Sequence, residues 1–259
     1  MESARLSRTY EFWGRLMVEM HDDAYLTRIN YGRADWIESL DLGPKRRVLD
    51  LGCGNGYLDI ELAHRGHTVT AVDMVEDVID SARSRVVDEP VTFIASDLRQ
   101  VQYPDESFDI VLMFGLVGLM GREDDRALLA RAHQWLAPGG SLLVESDLQV
   151  ADAQTVFTDH PDGRVHWVWT GDAATRTNFL RPEFHRHDGT VIELRDPIDP
   201  GRGDHTGLIR YLYPPDELQA QLEASGFIVE RIGHFLEYVL PDVEPDRFML
   251  MGTRPSRSG

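Results

Sequence analysis

The chain has 259 residues, 42% of them hydrophobic, which suffices for one large domain or one domain with an insertion. Its 26 basic residues against 44 acidic ones give a formal net charge of -18, a surface that repels phosphate backbones, so no nucleic-acid partner is expected. A small neutral or cationic substrate suits that charge better; the alternative is that the acidity serves only solubility. Cys53 is the only cysteine, so no intrachain disulfide can form, and a reducing compartment is expected. The opening MESARLSRTYEFW has no apolar run of signal-peptide kind. No stretch approaches the roughly 18 apolar residues that span a bilayer, so a cytoplasmic chain without membrane contact is expected.

Between Arg8 and Leu40 the spacing predicts two helices. Phe12, Leu16 and Met20 share one apolar face, and Trp36, Ile37 and Leu40 another, until Asp41-Leu-Gly-Pro44 breaks the pattern. Strands and helices then alternate. Strand Arg47–Leu51 precedes helix Tyr57–Arg65, strand Thr68–Val72 precedes helix Glu76–Val87, and strands Val91–Ala95 and Phe108–Phe114 precede helix Asp124–Leu136 and strand Ser141–Glu145. Short apolar strands alternating with helices predict an α/β fold, a Rossmann-like, doubly wound, mostly parallel sheet covered on both faces. After Glu145 the alternation stops. Val165, Trp167 and Trp169 alternate with His166, Val168 and Thr170, Val191–Arg195 and Leu208–Tyr213 are further strand candidates, and Asp188-Gly189 suits a hairpin turn. A helix returns at Pro215–Ser225 with Gly226 as its cap, followed by strands Phe227–Ile232 and Phe248–Gly252. The expected organisation is an N-terminal helical cap (1–45), a core (46–146 and 214–259) and a β-rich insertion at 147–213. That insertion, of about 65 residues, is too long for a structureless loop.

Asp50-Leu-Gly52-Cys-Gly54-Asn-Gly56 lies between a strand and a helix, where glycines let the backbone turn tightly against a ligand. Asp73 closes the next strand, where a carboxylate can accept hydrogen bonds from both hydroxyls of a ribose, and Asp97 closes the third at the same edge. A dinucleotide fingerprint needs G-x-G-x-x-G, but Tyr57 stands where its third glycine would be. Asp50 would also repel a pyrophosphate. It suits a ligand with an ammonium and a sulfonium and no phosphate, and S-adenosyl-L-methionine (SAM) is such a ligand.

VLDLGCGNG (Val48–Gly56), the acid of AVDM (Asp73), SDL (Asp97–Leu98), FDIVLMFG (Phe108–Gly115) and LAPGG (Leu136–Gly140) resemble the ordered motifs of class I SAM-dependent methyltransferases, over roughly Arg46 to Glu145. The resemblance implies a seven-stranded sheet with a final antiparallel hairpin. It implies Asp50 near the methionine ammonium, Gly52 and Gly54 beside the methionine moiety, and Asp73 on the ribose. Met74 and Leu98 would pack on the adenine, Asp97 would bind its amino group, and Phe114 would offer backbone to the ammonium and face the substrate. Leu98 and Phe114 suit plain core positions as well. Arg28, in YLTRINYGR, resembles an arginine that some small-molecule members place on the methionine carboxylate; a solvated helix arginine is the alternative.

The insertion occupies the position at which sugar N-methyltransferases and related small-molecule enzymes carry a β-sheet lid, and MFGLVGLM (Met113–Met120) is similar to their stretch after the fourth strand. The expected activity is methyl transfer to N or O of a small-molecule, specialised-metabolite acceptor. A tRNA or protein methyltransferase and a SAM-binding protein without transfer are the rival readings. Among the lid histidines, His166 and His185 are the candidates for a general base, against ordinary surface roles. His185 and His187 would share one face of a strand, near Asp188, but two ligands do not make a metal site, so no metal is expected. Tyr10, Phe12 and Trp13 are candidates for closing over the cofactor. Whether the insertion covers its own site or packs on a second subunit of a homodimer stays open.

Overall fold

The computed structural model describes residues 23–147, 153–160, 162–193, 208–234 and 247–257. The predicted first helix through Phe12, Leu16 and Met20, the aromatics Tyr10 and Trp13, and His205 lie outside them, as does the side chain of Arg28.

Five strands, β1 (Arg47–Leu51), β2 (Thr68–Asp73), β3 (Val91–Ala95), β4 (Phe108–Met113) and β5 (Leu136–Asp147), pair in parallel. Two more, β11 (Ile228–Ile232) and β12 (Arg247–Thr253), complete a seven-stranded sheet in the order β11-β12-β5-β4-β1-β2-β3, with β12 antiparallel to both neighbours. The central strands are apolar on both faces because both are covered. Val48, Ile110 and Leu112 pack with Ile37, Leu62 and Ile79 of helices α1 (Asp23–Ser39), α2 (Tyr57–His64) and α3 (Glu76–Arg83). Their neighbours Leu49, Val111 and Met113 point the other way, onto Leu129, Trp135 and Leu222 of α4 (Arg122–Trp135) and α5 (Pro215–Ala224).

Two boundaries differ from the sequence expectation by more than two residues, for physical reasons. Helix α3 stops at Arg83 rather than Val87, because its apolar face ends with Ala82 and Val87 is 81% exposed. Strand β5 starts at Leu136, before the Pro-Gly-Gly stop, because Leu136 already pairs with Phe108; a register shift then absorbs the glycines, and pairing resumes at Ile110 with Ser141.

The second sheet is antiparallel. Strands β6 (Gln154–His160), β7 (Gly163–Asp172), β8 (Thr177–Arg186) and β10 (Leu208–Tyr211) run in the order β10-β8-β7-β6, with the short β9 (Val191–Glu193) also on β8. The Asp188-Gly189 turn joins β8 to β9: the Asp188 carboxylate accepts the Thr190 N–H at 2.8 Å and Gly189 N–H donates to the Arg186 carbonyl at 3.0 Å. Register places Trp167, Trp169, Asn178, Leu180 and Arg210 on one face, with Val165 and Phe184. Val165, Asn178, Leu180 and Phe184 of this face are buried. The opposite face carries Phe157, His166, Glu183, His185 and Tyr211, and Phe157 is 55% exposed.

The buried face is turned to the core. Arg210 Nη2 donates to the Gly115 carbonyl at 2.6 Å, and its Nη1 reaches both oxygens of Asp147, at the end of β5, at 3.1 Å. The chain leaving this sheet is held to the loop after β4: Tyr211 N–H donates to the Gly118 carbonyl at 2.9 Å, and the Tyr213 hydroxyl to the Asp125 carboxylate at 2.9 Å. The antiparallel sheet is therefore a lid fixed over the carboxyl edge of β4 and β5. No described helix is long and apolar enough to cross a membrane.

Candidate cofactor and substrate site

The loop after β1 begins with Asp50 buried at 5% exposure. The N–H groups of Gly52 and Cys53 both donate to the Val72 carbonyl, at 2.8 and 3.1 Å, so the loop is pinned over the end of β2. Asp73 there accepts hydrogen bonds from Gly54 N–H at 3.1 Å and Val75 N–H at 3.0 Å. Burial raises the Asp73 carboxyl above its ordinary value, while these backbone donors and Met74 N–H pull it back. The glycines differ in what surrounds them. A Cβ on Gly56, at φ +73°, would meet the Phe93 ring at 2.5 Å, so this glycine lets α2 approach β3. A Cβ on Gly54 would meet nothing within 4 Å, and open space lies beside the backbone where Asp73 is aimed.

Beneath the loop, Asp50 faces Asp59 of α2, which is fully buried. Neither Asp59 oxygen has a hydrogen-bond donor among the described residues, so the two carboxyls satisfy each other only by sharing a proton. Burial pushes Asp50 up to about 7, opposed by the hydrogen bond from Asp59 and the charge of Arg33. Asp59 lies higher still, through burial and the neighbouring Asp50 charge. Arg33 of α1 acts on Asp50 and on Glu145, and its guanidinium lies 5.9 Å from the centre of the Phe114 ring. The string YLTRINYGR holds two arginines, and the structure puts the second, Arg33, beside the loop, which the sequence reading missed; the turn of helix between them is invisible without knowing which face packs on α2. Phe114 itself meets Trp36 edge-on at 6.3 Å.

Asp97 is held by Arg99, whose guanidinium contacts both carboxylate oxygens at 2.6 to 3.0 Å and keeps the acid below its ordinary value. Leu98 is 6% exposed and belongs to the main core, and Met74 is partly buried after Asp73.

A second polar cluster lies at the ends of β4 and β5. Glu145 and His234, each with a side chain 1% exposed, form a 2.8 Å hydrogen bond, and Arg247 stands 3.3 Å from the other Glu145 oxygen. Burial alone would raise Glu145, but His234, Arg247 and Arg33 bring it down to about 2. A Cβ on Gly115 would lie 3.6 Å from Glu145 Oε2 and 3.8 Å from Arg210 Nη2, so this cluster and the lid arginine meet at one backbone position. The sequence reading missed Glu145, His234 and Arg210, whose partners are dozens of residues distant.

The two histidines proposed as bases are brought together: their rings stack with centroids 3.6 Å apart. They lie on the lid face opposite Arg210, so neither imidazole is carried toward Gly115. His187 lies beyond the end of β8 and does not join them.

The fit for SAM follows from this donor set. The buried Asp50 carboxyl and the Asp73 carboxylate suit a ligand with an ammonium, a sulfonium and a ribose, and space is open beside Gly54. Residues 48–140 match the model of a methyltransferase domain. The chain is 27% identical over 223 residues to YqeM of Bacillus subtilis (strain 168), which bears a methyltransferase name, covering 82% of this chain and 85% of that one. It is 37% identical over 97 residues to an uncharacterised methyltransferase of Mycobacterium tuberculosis, covering 38% of this chain and 48% of the relative. Among solved structures it resembles SAM-bound CalS10 of Micromonospora echinaspora, an amino pentose methyltransferase, with TM-score 0.66, 21% identity and coverage of 89% and 94%. The matched domain, the methyltransferase relatives and the fold indicate a SAM-dependent methyltransferase enzyme, with SAM as its cofactor.

Proposed function

We propose that this methyltransferase acts on a nitrogen or oxygen of a small, specialised metabolite bound between the loop after β4 and the Arg210 face of the lid. The observation that carries this is the Arg210 bridge to Gly115 and Asp147, which ties an antiparallel lid over the edge where the cofactor loop ends. A space roofed in this way suits a compact acceptor better than a tRNA or a folded protein. The net charge of -18 and the aromatic Trp167 and Trp169 on that face agree with a neutral or cationic molecule. CalS10, an amino pentose methyltransferase by its description, supports the same acceptor class.

Bound SAM supplies an electrophilic methyl on a good leaving group, so the protein has mainly to align the acceptor and exclude water. Asp73 accepts the ribose hydroxyls, the Gly52–Gly54 backbone lines the methionine moiety, and Asp50 balances its ammonium. Arg33, with Arg28 one to two turns earlier on α1, is assigned to the methionine carboxylate. Met74, Asp97 and Leu98 frame the adenine, and Phe114 borders the acceptor. His166 and His185 are passed over as the base for the proton that an amine or hydroxyl must lose, because of the face they occupy. The test is S-adenosylhomocysteine formation from SAM with panels of small amines, hydroxyls and carbon acids, beside tRNA and protein fractions. Turnover on a small acceptor supports the reading; turnover on tRNA or protein alone overturns it.

A further inference from the structure

The outward face of the lid holds a ligand set that methyl transfer does not use. Register pairs His166 with Glu183, and Arg164 with His185, so the two imidazoles and the carboxylate share one face across β7 and β8. The His166 and His185 rings stack at 3.6 Å with 12° between their planes. Glu183 Oε2 lies 3.0 Å from His185 Nε2, and Arg181 Nη2 holds its other oxygen at 2.9 Å. One ligand atom from each of His166, Glu183 and His185 falls within 4.8 Å of the others.

We propose that His166, Glu183 and His185 form a binding site for a borderline divalent transition cation, zinc being the expected one, which clips β7 to β8 on the lid face turned away from Arg210. Two imidazole nitrogens and one carboxylate oxygen are the donors such cations take, whereas calcium and magnesium prefer oxygen alone. Metal–ligand bonds of about 2.0–2.2 Å put neighbouring ligand atoms roughly 3 to 3.5 Å apart. In the proposed site the ligand atoms, within 4.8 Å of one another, reach that spacing by rotation of the side chains. Arg181 holds Glu183 Oε1, so Oε2, paired with His185 Nε2, is the oxygen offered to the cation, and Arg164 is paired with Asp159 at 2.7 Å. Water completes the coordination. The site reads as a structural clip for the lid, because it does not face the cofactor loop. It departs from the sequence expectation of no metal, and it uses His166 and Glu183 in place of His187.

The experiment is titration of the tag-free, chelator-stripped full chain with cobalt(II), then zinc(II), followed by visible absorption and calorimetry. One equivalent of cobalt with a d–d spectrum, displaced by zinc, is expected. His166→Ala and His185→Ala should each weaken binding about tenfold or more, while His187→Ala leaves it unchanged. SAM binding by the same variants reports whether they are folded. Absence of a stoichiometric cation in the wild type, or binding unaltered in the folded His166→Ala/His185→Ala double variant, overturns the proposal.

Discussion

Arg210 and Gly115 are 95 positions apart in the chain and 2.6 Å apart in space, and their hydrogen bond fixes the lid to the loop after β4. The same guanidinium neutralises Asp147, and both side chains are nearly buried, at 13% and 11% exposure. Arg210→Met therefore removes the tie and leaves Asp147 with Arg247 as its ion-pair partner among the described residues. We expect kcat/KM for the acceptor to fall by about tenfold or more, with SAM affinity changed much less. Steady-state kinetics beside SAM calorimetry separates the two; an equal loss in both would mean that the lid serves the cofactor site.

Asp73→Ala removes a carboxylate that is already oriented by Gly54 and Val75. Charge-assisted hydrogen bonds of this kind are worth roughly 1.5–3 kcal/mol each, so SAM affinity should drop at least about tenfold. Calorimetric titration of SAM and S-adenosylhomocysteine checks it, and unchanged affinity would move the cofactor elsewhere.

The Asp50–Asp59 pair makes SAM binding depend on pH. Asp50 is raised to about 7 in the free protein by burial, and a ligand ammonium favours its anionic form. Protonation of the free protein then competes with the ligand, so affinity weakens as pH falls below about 7 and levels off above it, with a limiting slope of about tenfold per unit for one proton. Asp59→Asn keeps a donor toward Asp50 and leaves its burial unchanged, so the pH dependence should persist, whereas Asp50→Asn should abolish it. Calorimetry between pH 6 and pH 8, in buffers of different ionisation enthalpy, reads the proton released; identical affinity across that range would exclude the linkage.

Glu145 has the opposite sign. Despite full burial, His234, Arg247 and Arg33 hold it at about 2, so its contribution to stability is present above the unfolded-state value of about 4.3 and is lost as pH falls toward 2. The stability gap between wild type and Glu145→Gln should narrow over that interval in denaturant titrations. A gap constant down to pH 2 would show that His234 and Arg247 do not act through the carboxylate charge.

Gly56→Ala tests the close approach of α2. Its Cβ would sit 2.5 Å from the Phe93 ring and 2.9 Å from the Ala82 methyl, at φ +73°. A loss of about 2–4 kcal/mol is expected from strain and overpacking together, read as a lower unfolding midpoint. A midpoint equal to that of the wild type would mean that α3 shifts to make room.

Much of this protein was legible in its residue order because the information is local. The alternation of apolar strands and helices from Arg47 to Glu145 predicts a parallel sheet, since only strands covered on both faces are apolar throughout. The Gly52–Gly56 loop, Asp73 and Asp97 follow three successive strands, so the shared edge of the sheet brings them together. Other features were decided only in three dimensions. Helix α3 ends where its packing ends, at Ala82, and no breaker residue marks the spot. His166 and His185 can be assigned to a face only once the register of β7 on β8 and the contact of Arg210 with Gly115 are known. Arg33, Glu145, His234 and Arg210 meet the site through pairings across long stretches of chain. Sequence periodicity records which side of an element is apolar; which distant element covers that side, and which charges it brings, depends on how the layers close.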